Sequence, residues 1–514
     1  MKKILIYALT LCILSAGISC SKLLEERPET FLADDAVYST AEGAEAAIVG
    51  LYSRLNNLEN FGLYYWQLVP ALSGTIYSSV ATWQDLISLN PTLNNERVNG
   101  FWTECYATVN IANDIITKLP DYSINQAVKD NILGQAYFLR AVTYFNLVRL
   151  WGGVPLRLAP STAATIHVKR ATAEEVWQAI EEDLIQAKQL LAEPADQKKS
   201  RPHKYAAYAL LAKVYMTRAS MSLDENSPFW QMAFNEAIEV YNSQAYKLVK
   251  PYSALWLPGN ENTIESIFEI QQNTKTVEYK TQIYMPTAHP LLAGGTAGGT
   301  YRSNKEIYDG HVAQYPGDPR LDTYLDSQYV RSDNNATVLI YPRNKTTQGW
   351  PYMIKYYSAN RSGFSAEKNF IFFRYAELLL MLSEIENELR GPVGAYKYVN
   401  EVLLRARDTN GDGIGDVPRP ANWAGLTKEN FRLRIMQERM YEMRGEGQEW
   451  FETHRRGYDY FLTQVIRKHN NNPTRDPIRD IVYPEDPKNM LLPIPSVEIN
   501  ANQLIGPSDQ NPGY

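Results

Sequence analysis

Residues 132–151, ILGQAYFLRAVTYFNLVRLW, constrain the fold of this chain more than any other stretch. Apolar side chains occupy most of the helical circumference, so a helix here needs neighbours on nearly every side. Gly152-Gly153 and Pro155 then stop it, because glycine accepts a left-handed cap and proline cannot continue a helix. A chain that must surround such a helix calls for a mainly α architecture.

The rest of the sequence supplies the neighbours. Ser39 with Glu42, and Thr172 with Glu175, have the spacing of capping boxes and mark helix starts. Beyond Thr172, Val176, Ile180, Leu184, Ala187 and Leu191 recur at three- to four-residue steps and give one apolar stripe on a charged helix. The pattern of a buried helix returns at 370–389, and helical periodicity runs through 101–118, 203–221, 229–243, 394–407 and 428–444. Strand-like alternation is sparse. The block 251–365 differs: it is rich in Gly, Pro, Asn, Thr and Tyr, with glycines across 294–299 and the turn Pro316-Gly317-Asp318-Pro319. A second irregular stretch, 60–100, carries Tyr64, Tyr65, Trp66, Tyr77 and Trp83. Long loops inside a compact protein usually carry function, so ligand is expected at these two stretches.

The N-terminus points to export. Lys2 and Lys3 precede an apolar run, 4–14, and small residues before Cys20. That run is shorter than the roughly 20 residues a spanning helix needs. It resembles a bacterial lipoprotein signal, with Gly17 where such signals favour Leu. The expectation is a signal peptide at 1–19, acylation of Cys20 and a tether over 20–38; a plain secretory signal is the alternative. Losing Cys12 with the signal and acylating Cys20 leaves Cys105 without a partner, so no disulfide framework exists. The 51 basic and 57 acidic residues are mixed along the chain and give a net charge of −6, so nothing points to an electropositive nucleic-acid surface. Tyrosine stands out, with 35 Tyr and 10 Trp against 15 Phe, a balance suited to wet binding surfaces.

Chemistry-bearing motifs are few. The six histidines, at 167, 203, 289, 311, 454 and 469, have no zinc-ligand spacing, and neither a nucleophile elbow nor a phosphate loop occurs. Glu438, Glu442 and Glu446 lie at four-residue steps on one helix face and allow an acid/base pair in principle. Arg434, Arg439 and Arg444 nearby favour an ion-pair network instead, so no enzyme is expected. Asp408, Asn410, Asp412 and Asp416 fall at positions 1, 3, 5 and 9 of a calcium-type loop with glycine at 6. Position 12 is Arg419 rather than glutamate; calcium there would be weak and structural, and a polar turn between helices is the alternative.

Two strings carry a resemblance to a known family. One is Ala136-Tyr137-Phe138-Leu139-Arg140-Ala141, continuing through Tyr144-Phe145 to Val148-Arg149-Leu150-Trp151-Gly152-Gly153-Val154-Pro155. The other is Leu492-Pro493-Ile494-Pro495, with Glu498-Ile499, Asn502 and the terminal Gln510-Asn511-Pro512-Gly513-Tyr514. Both resemble the SusD/RagB proteins; Phe451 to Arg456 depart from the family's pattern. The resemblance implies a mainly α, SusD-like fold of stacked tetratricopeptide-like hairpins with a loop-rich half. It implies one domain over 39–514, with helical parts at 39–250 and 366–514 around a ligand region at 251–365. It further implies a lipid-anchored protein at the outer-membrane surface, without an obligatory cofactor, that passes glycan to a SusC-like TonB-dependent transporter. Peptide capture, as in the RagB branch, and glycoside hydrolysis are the alternatives. A sugar ring needs an aromatic plate with polar groups nearby. Trp83 with Gln84 and Asp85 resembles the family's ligand-contacting loop, and Tyr64, Tyr65, Tyr301, Asn304, Trp350 and Tyr352 are chosen by composition.

Overall fold

The structure is a computed structural model and describes residues 37–78, 81–272, 302–325, 327–330, 334–344, 350–356, 361–362, 365–366, 368–476 and 480–514. Cys20, the signal peptide, the glycines of 294–299 and Tyr301 lie outside the described residues.

The principal helices are α1 (Ala41–Leu55), α2 (Glu96–Lys118), α3 (Gln126–Trp151), α4 (Ala173–Leu190), α5 (Lys204–Ser222), α6 (Pro228–Ser243), α7 (Lys305–Gln314), α8 (Tyr375–Arg390), α9 (Pro392–Arg407), α10 (Lys428–Glu442) and the short α11 (Glu449–His454). From α2 to α6 each helix packs on the next, then α6 packs on α8, and α8 on α9 and α10. Between α8 and α9 stands only Gly391, at φ +83°, so those two helices form a tight antiparallel hairpin. Within α3 every residue from Ile132 to Trp151 except Tyr137 is buried, as its apolar circumference requires. Each Leu, Val or Phe so buried contributes roughly 1.5–3 kcal/mol relative to exposure. One contiguous apolar core reaches from Tyr38 to Ile494.

The two family-like strings, far apart in sequence, meet in space. Gly152 caps α3 at φ +71°, and the Leu492 N–H donates to Leu150 O at 2.7 Å. Asn511 donates to the carbonyls of Trp151 (3.0 Å) and Leu492 (2.6 Å), while the Trp151 indole donates to Pro493 O at 2.9 Å. The carbonyls that α3 leaves free at its end are thus satisfied by the C-terminus.

Two local expectations shift. Thr172 and Glu175 form the capping box of α4, but α1 is capped by Thr40, which accepts from Gly43 N, and not by Ser39. The helix expected over 370–389 begins only at Tyr375. Phe370–Arg374 is a buried strand, because a short apolar run of aromatic and β-branched residues satisfies either periodicity. In chain order the strands used below are β1 (Ile76–Tyr77), β2 (Ser266–Ile270), β3 (Arg302–Ser303), β4 (Tyr324–Leu325), β5 (Tyr352–Met353) and β6 (Phe370–Arg374). β6 pairs antiparallel with β2. The other four make one sheet in the order β1-β3-β5-β4, joining the 60–100 stretch to the 251–365 block.

Candidate functional site

Glu438, Glu442 and Glu446 are fully buried along α10 and the turn that follows it, and they anchor a network of charges. Its cations come from elsewhere than the neighbouring arginines. Arg320 contacts Asp318 (2.7 Å), Glu438 (2.5 Å) and Glu442 (2.9 Å). Arg374, at the end of β6, contacts Glu265 (2.8 Å), Glu442 (2.7 Å) and Glu446 (2.8 Å). Arg405, on α9, contacts Glu265 at 2.8 Å and also Glu442. Of the arginines near in sequence, Arg439 turns to Glu377 and Glu452, and Arg444 donates to Thr75 and Ser303. Burial alone would raise the Glu442 carboxyl, but Arg405, Arg374 and Arg320 together hold it well below the usual carboxylate range. Such a carboxylate cannot act as a general acid, and the ion-pair reading of the ladder holds.

Above this network opens a cleft of about 370 Å³. The Lys355 ammonium, at its base, donates to Glu446 (2.7 Å) and to Glu442 O (3.0 Å). Burial pulls Lys355 down to about 8, against the pull of Glu446 in the other direction. Tyr252 and Trp256 form an aromatic wall on a short 3₁₀ turn, with ring centroids 5.8 Å apart and planes at 69°. Lys355 Nζ sits 4.8 Å from the Trp256 ring centroid, and the Tyr252 hydroxyl donates to Glu442 O at 3.3 Å. Ser253, Asp322 and Thr409 stand exposed at the rim. Asp318 fixes the opposite wall by accepting from Arg320 N at 2.9 Å. An aromatic wall, a cation at the base and a hydroxyl-rich rim make a place for a ring with an apolar face and polar edges.

The residues singled out from sequence sit elsewhere. Tyr65 lies in the core, its hydroxyl donating to Gly447 O at 2.7 Å, and Tyr64 donates to Glu96 at 2.6 Å. Trp83 is 3% exposed within the apolar core, while Asp85 accepts from Asn95 at 2.7 Å. Trp350, Tyr352 and Asn304 are drawn together by the four-stranded sheet. There Trp350 stacks on Tyr77 at 3.6 Å and 4°, the Arg302 guanidinium lies 4.7 Å from the Tyr352 centroid, and Asn304 donates to Gly74 O and Tyr483 Oη. The 60–100 and 251–365 stretches therefore do converge, but the named rings mostly face one another. Sequence reasoning passed over Tyr252 and Trp256. Their signal was available: two aromatics four residues apart at the first turn of the loop-rich block.

The 408–416 loop closes on its own hydrogen bonds. Asp408 accepts from Gly411 N (2.7 Å) and Gly413 N (2.8 Å), and Asp416 accepts from Thr409 N at 2.7 Å. Asn410 turns its amide N–H₂, not its oxygen, toward Asp412 and Asp416, at 3.2 and 3.0 Å. As folded, this donor set does not make a calcium cage, and among the described residues no group of three or more His, Cys, Asp or Glu is placed to hold a metal.

Comparison with known proteins agrees with this architecture. Residues 53–216 match the family profile described as "Starch-binding associating with outer membrane", and residues 267–514 match the one described as "SusD family". The chain belongs to the SusD/RagB family. Two SusD-like proteins of Formosa agariphila, P25 and P2, are 25% and 28% identical to it; the alignments cover 96% and 97% of this chain and 97% of each relative. A SusD homologue of Bacteroides thetaiotaomicron, 20% identical, superposes with a TM-score of 0.80 over 94% of this chain and 98% of its own. A SusD-like protein of Bacteroides fragilis, also 20% identical, gives 0.74 over 94% and 99%. SusD/RagB proteins are associated with the outer membrane; among the described residues of this one, no helix is long and apolar enough to cross a bilayer.

Proposed function

We propose that this SusD/RagB protein captures oligo- or polysaccharide at the cell surface and delivers it to a SusC-like TonB-dependent transporter, with acyl chains on Cys20 keeping it at the outer membrane. The observation that carries the reading is the cleft walled by Tyr252 and Trp256 and rimmed by Ser253, Asp322 and Thr409. A pyranose set against the edge that Tyr252 and Trp256 present to the cleft would leave hydroxyls facing that rim, while the ion-pair network beneath keeps Lys355 and Tyr252 in place.

Calorimetric titration of the purified protein with a panel of polysaccharides and peptides tests the proposal. Saturable binding to a glycan without release of reducing ends is expected. Ser253→Trp, at an exposed position, should obstruct the cleft and weaken that binding at least tenfold, about 1.4 kcal/mol. Binding to peptides alone would replace glycan by peptide as cargo, and accumulating reducing ends would make the protein a hydrolase. Undiminished glycan binding by Ser253→Trp would remove the site from this cleft.

A further inference from the structure

A second cavity, of about 200 Å³, shares no residue with the cleft and contains an unusual group. It opens between α5, α11 and the segment 490–491, with Met216, Met221, Trp450, Phe451 and Leu491 as apolar walls. Arg149, from the last turn of α3, completes the lining. Its guanidinium is held between two phenyl rings, 3.6 Å from the Phe145 centroid and 3.4 Å from that of Phe451. It donates to Phe145 O (2.9 Å) and Asn146 Oδ1 (2.8 Å), and among the described residues it meets no carboxylate. Arg320, Arg374, Arg405, Arg439 and Arg455, buried to a similar degree, each contact at least one; Arg444 contacts none either, but its guanidinium is taken up by Thr75 and Ser303.

The other charged lining groups are compensated. Lys213 pairs with Glu377 at 2.9 Å, and Glu452 with both Arg439 and Arg455. His454 is neutral: burial pulls it down to about 3, although the Trp450 and Asn489 carbonyls pull the other way. A buried cation with no carboxylate in contact is costly, and burial pulls Arg149 down to about 9, although Tyr65, Glu377 and Glu452 at longer range pull the other way. An anion reaching the guanidinium through the cavity would offset that cost. Size sets the class further, because a dry cavity of about 150 Å³ suffices for benzene.

We infer that this cavity binds a small organic monoanion with a compact apolar body, about the size of benzoate, its carboxylate on Arg149 and its body among Met216, Met221, Trp450, Phe451 and Leu491. Such a site would make the α3–α5–α11 region responsive to a small acid independently of any glycan.

Calorimetry with sodium benzoate, and with neutral benzamide as the isosteric control, tests this. Benzoate should bind saturably and at least tenfold more tightly than benzamide. Arg149→Gln should remove that preference. Because Arg149 is packed in the core, a second variant, Met221→Glu, puts a negative charge at a position 44% exposed, where folding tolerates it; it should weaken benzoate at least tenfold with an unchanged unfolding midpoint. No saturable heat with benzoate, equal affinity for benzamide, or wild-type benzoate affinity in Met221→Glu would each overturn the inference.

Discussion

Replacing Arg374 with methionine is the sharpest test of the buried network beneath the cleft. Arg374 gives Glu446 two hydrogen bonds, through Nε at 2.8 Å and Nη2 at 2.9 Å, and also reaches Glu265 and Glu442. In the intact network five carboxylates (Glu265, Asp318, Glu438, Glu442, Glu446) face four cations (Arg320, Lys355, Arg374, Arg405). Arg374→Met keeps the apolar volume but leaves five carboxylates against three cations, none of them in contact with bulk water. Removing one partner of a single buried pair costs about 3–5 kcal/mol, and here three acids lose a shared donor, so about 5 kcal/mol is expected. For some 500 residues, an unfolding entropy of about 2.1 cal/mol/K per residue turns that into a midpoint lowered by roughly 5 °C. Calorimetry reads it directly. Glu446→Gln placed on the Arg374→Met background cuts the excess of buried carboxylates from two to one, at the cost of Lys355's partner, and should restore about 1 kcal/mol, so the two losses are less than additive. A loss below about 1 kcal/mol in Arg374→Met, or strict additivity in the double variant, would refute the reasoning.

Other consequences follow from single contacts. Glu442, Asp318, Glu452 and Glu384 are all held below the usual carboxylate range by neighbouring cations that overcome burial, Glu384 at about 2. Groups depressed in the folded state stabilise fully above their unfolded value, near 4, and lose that contribution as pH falls, so the urea midpoint should hold to about pH 4.5 and drop steeply toward pH 2. A flat midpoint down to pH 3 would contradict the pairing. Asn511→Ala leaves the Leu492 carbonyl without its donor and the Trp151 carbonyl with Arg170 alone, and at about 1–3 kcal/mol for a buried unsatisfied group the loss should be about 1–3 kcal/mol by chemical denaturation. Calcium added to metal-free protein should give no heat, because the 408–416 loop is closed by its own donors; a saturable signal abolished by Asp412→Asn would restore the calcium reading.

What the sequence revealed tracks the range of the interactions involved. The periodicity of α3 and α4, the capping box at Thr172 and the stop at Gly152 depend on residues within a turn or two of each other, and they appear where expected. Phe370–Arg374 misled because a short apolar run carries no periodicity of its own; its antiparallel partner, Ser266–Ile270, lies about a hundred residues earlier. The displaced cap at Thr40 is a smaller case of the same kind, since Ser39 and Thr40 offer equivalent hydroxyls.

The site was the least legible part, and the glutamate ladder shows why. Glu438 and Glu442 stand on one face of α10 as their spacing implied, but Glu446 lies in the turn beyond it; an ion-pair network forms, though not with the arginines nearest in sequence. The cations that complete it come from a turn at Arg320, a strand at Arg374 and a helix at Arg405, none of which sequence distance would select over Arg439 or Arg444. The cleft shares that non-local origin, since Tyr252 and Lys355 bond to Glu442 and Glu446, far away in sequence. Aromatic residues abundant enough to suggest a binding surface are also abundant enough to fill a core, and composition cannot separate the two. Tyr65, Trp83, Tyr252 and Trp256 all belong to the core, and only the last two also line the cleft, beside the buried charge network.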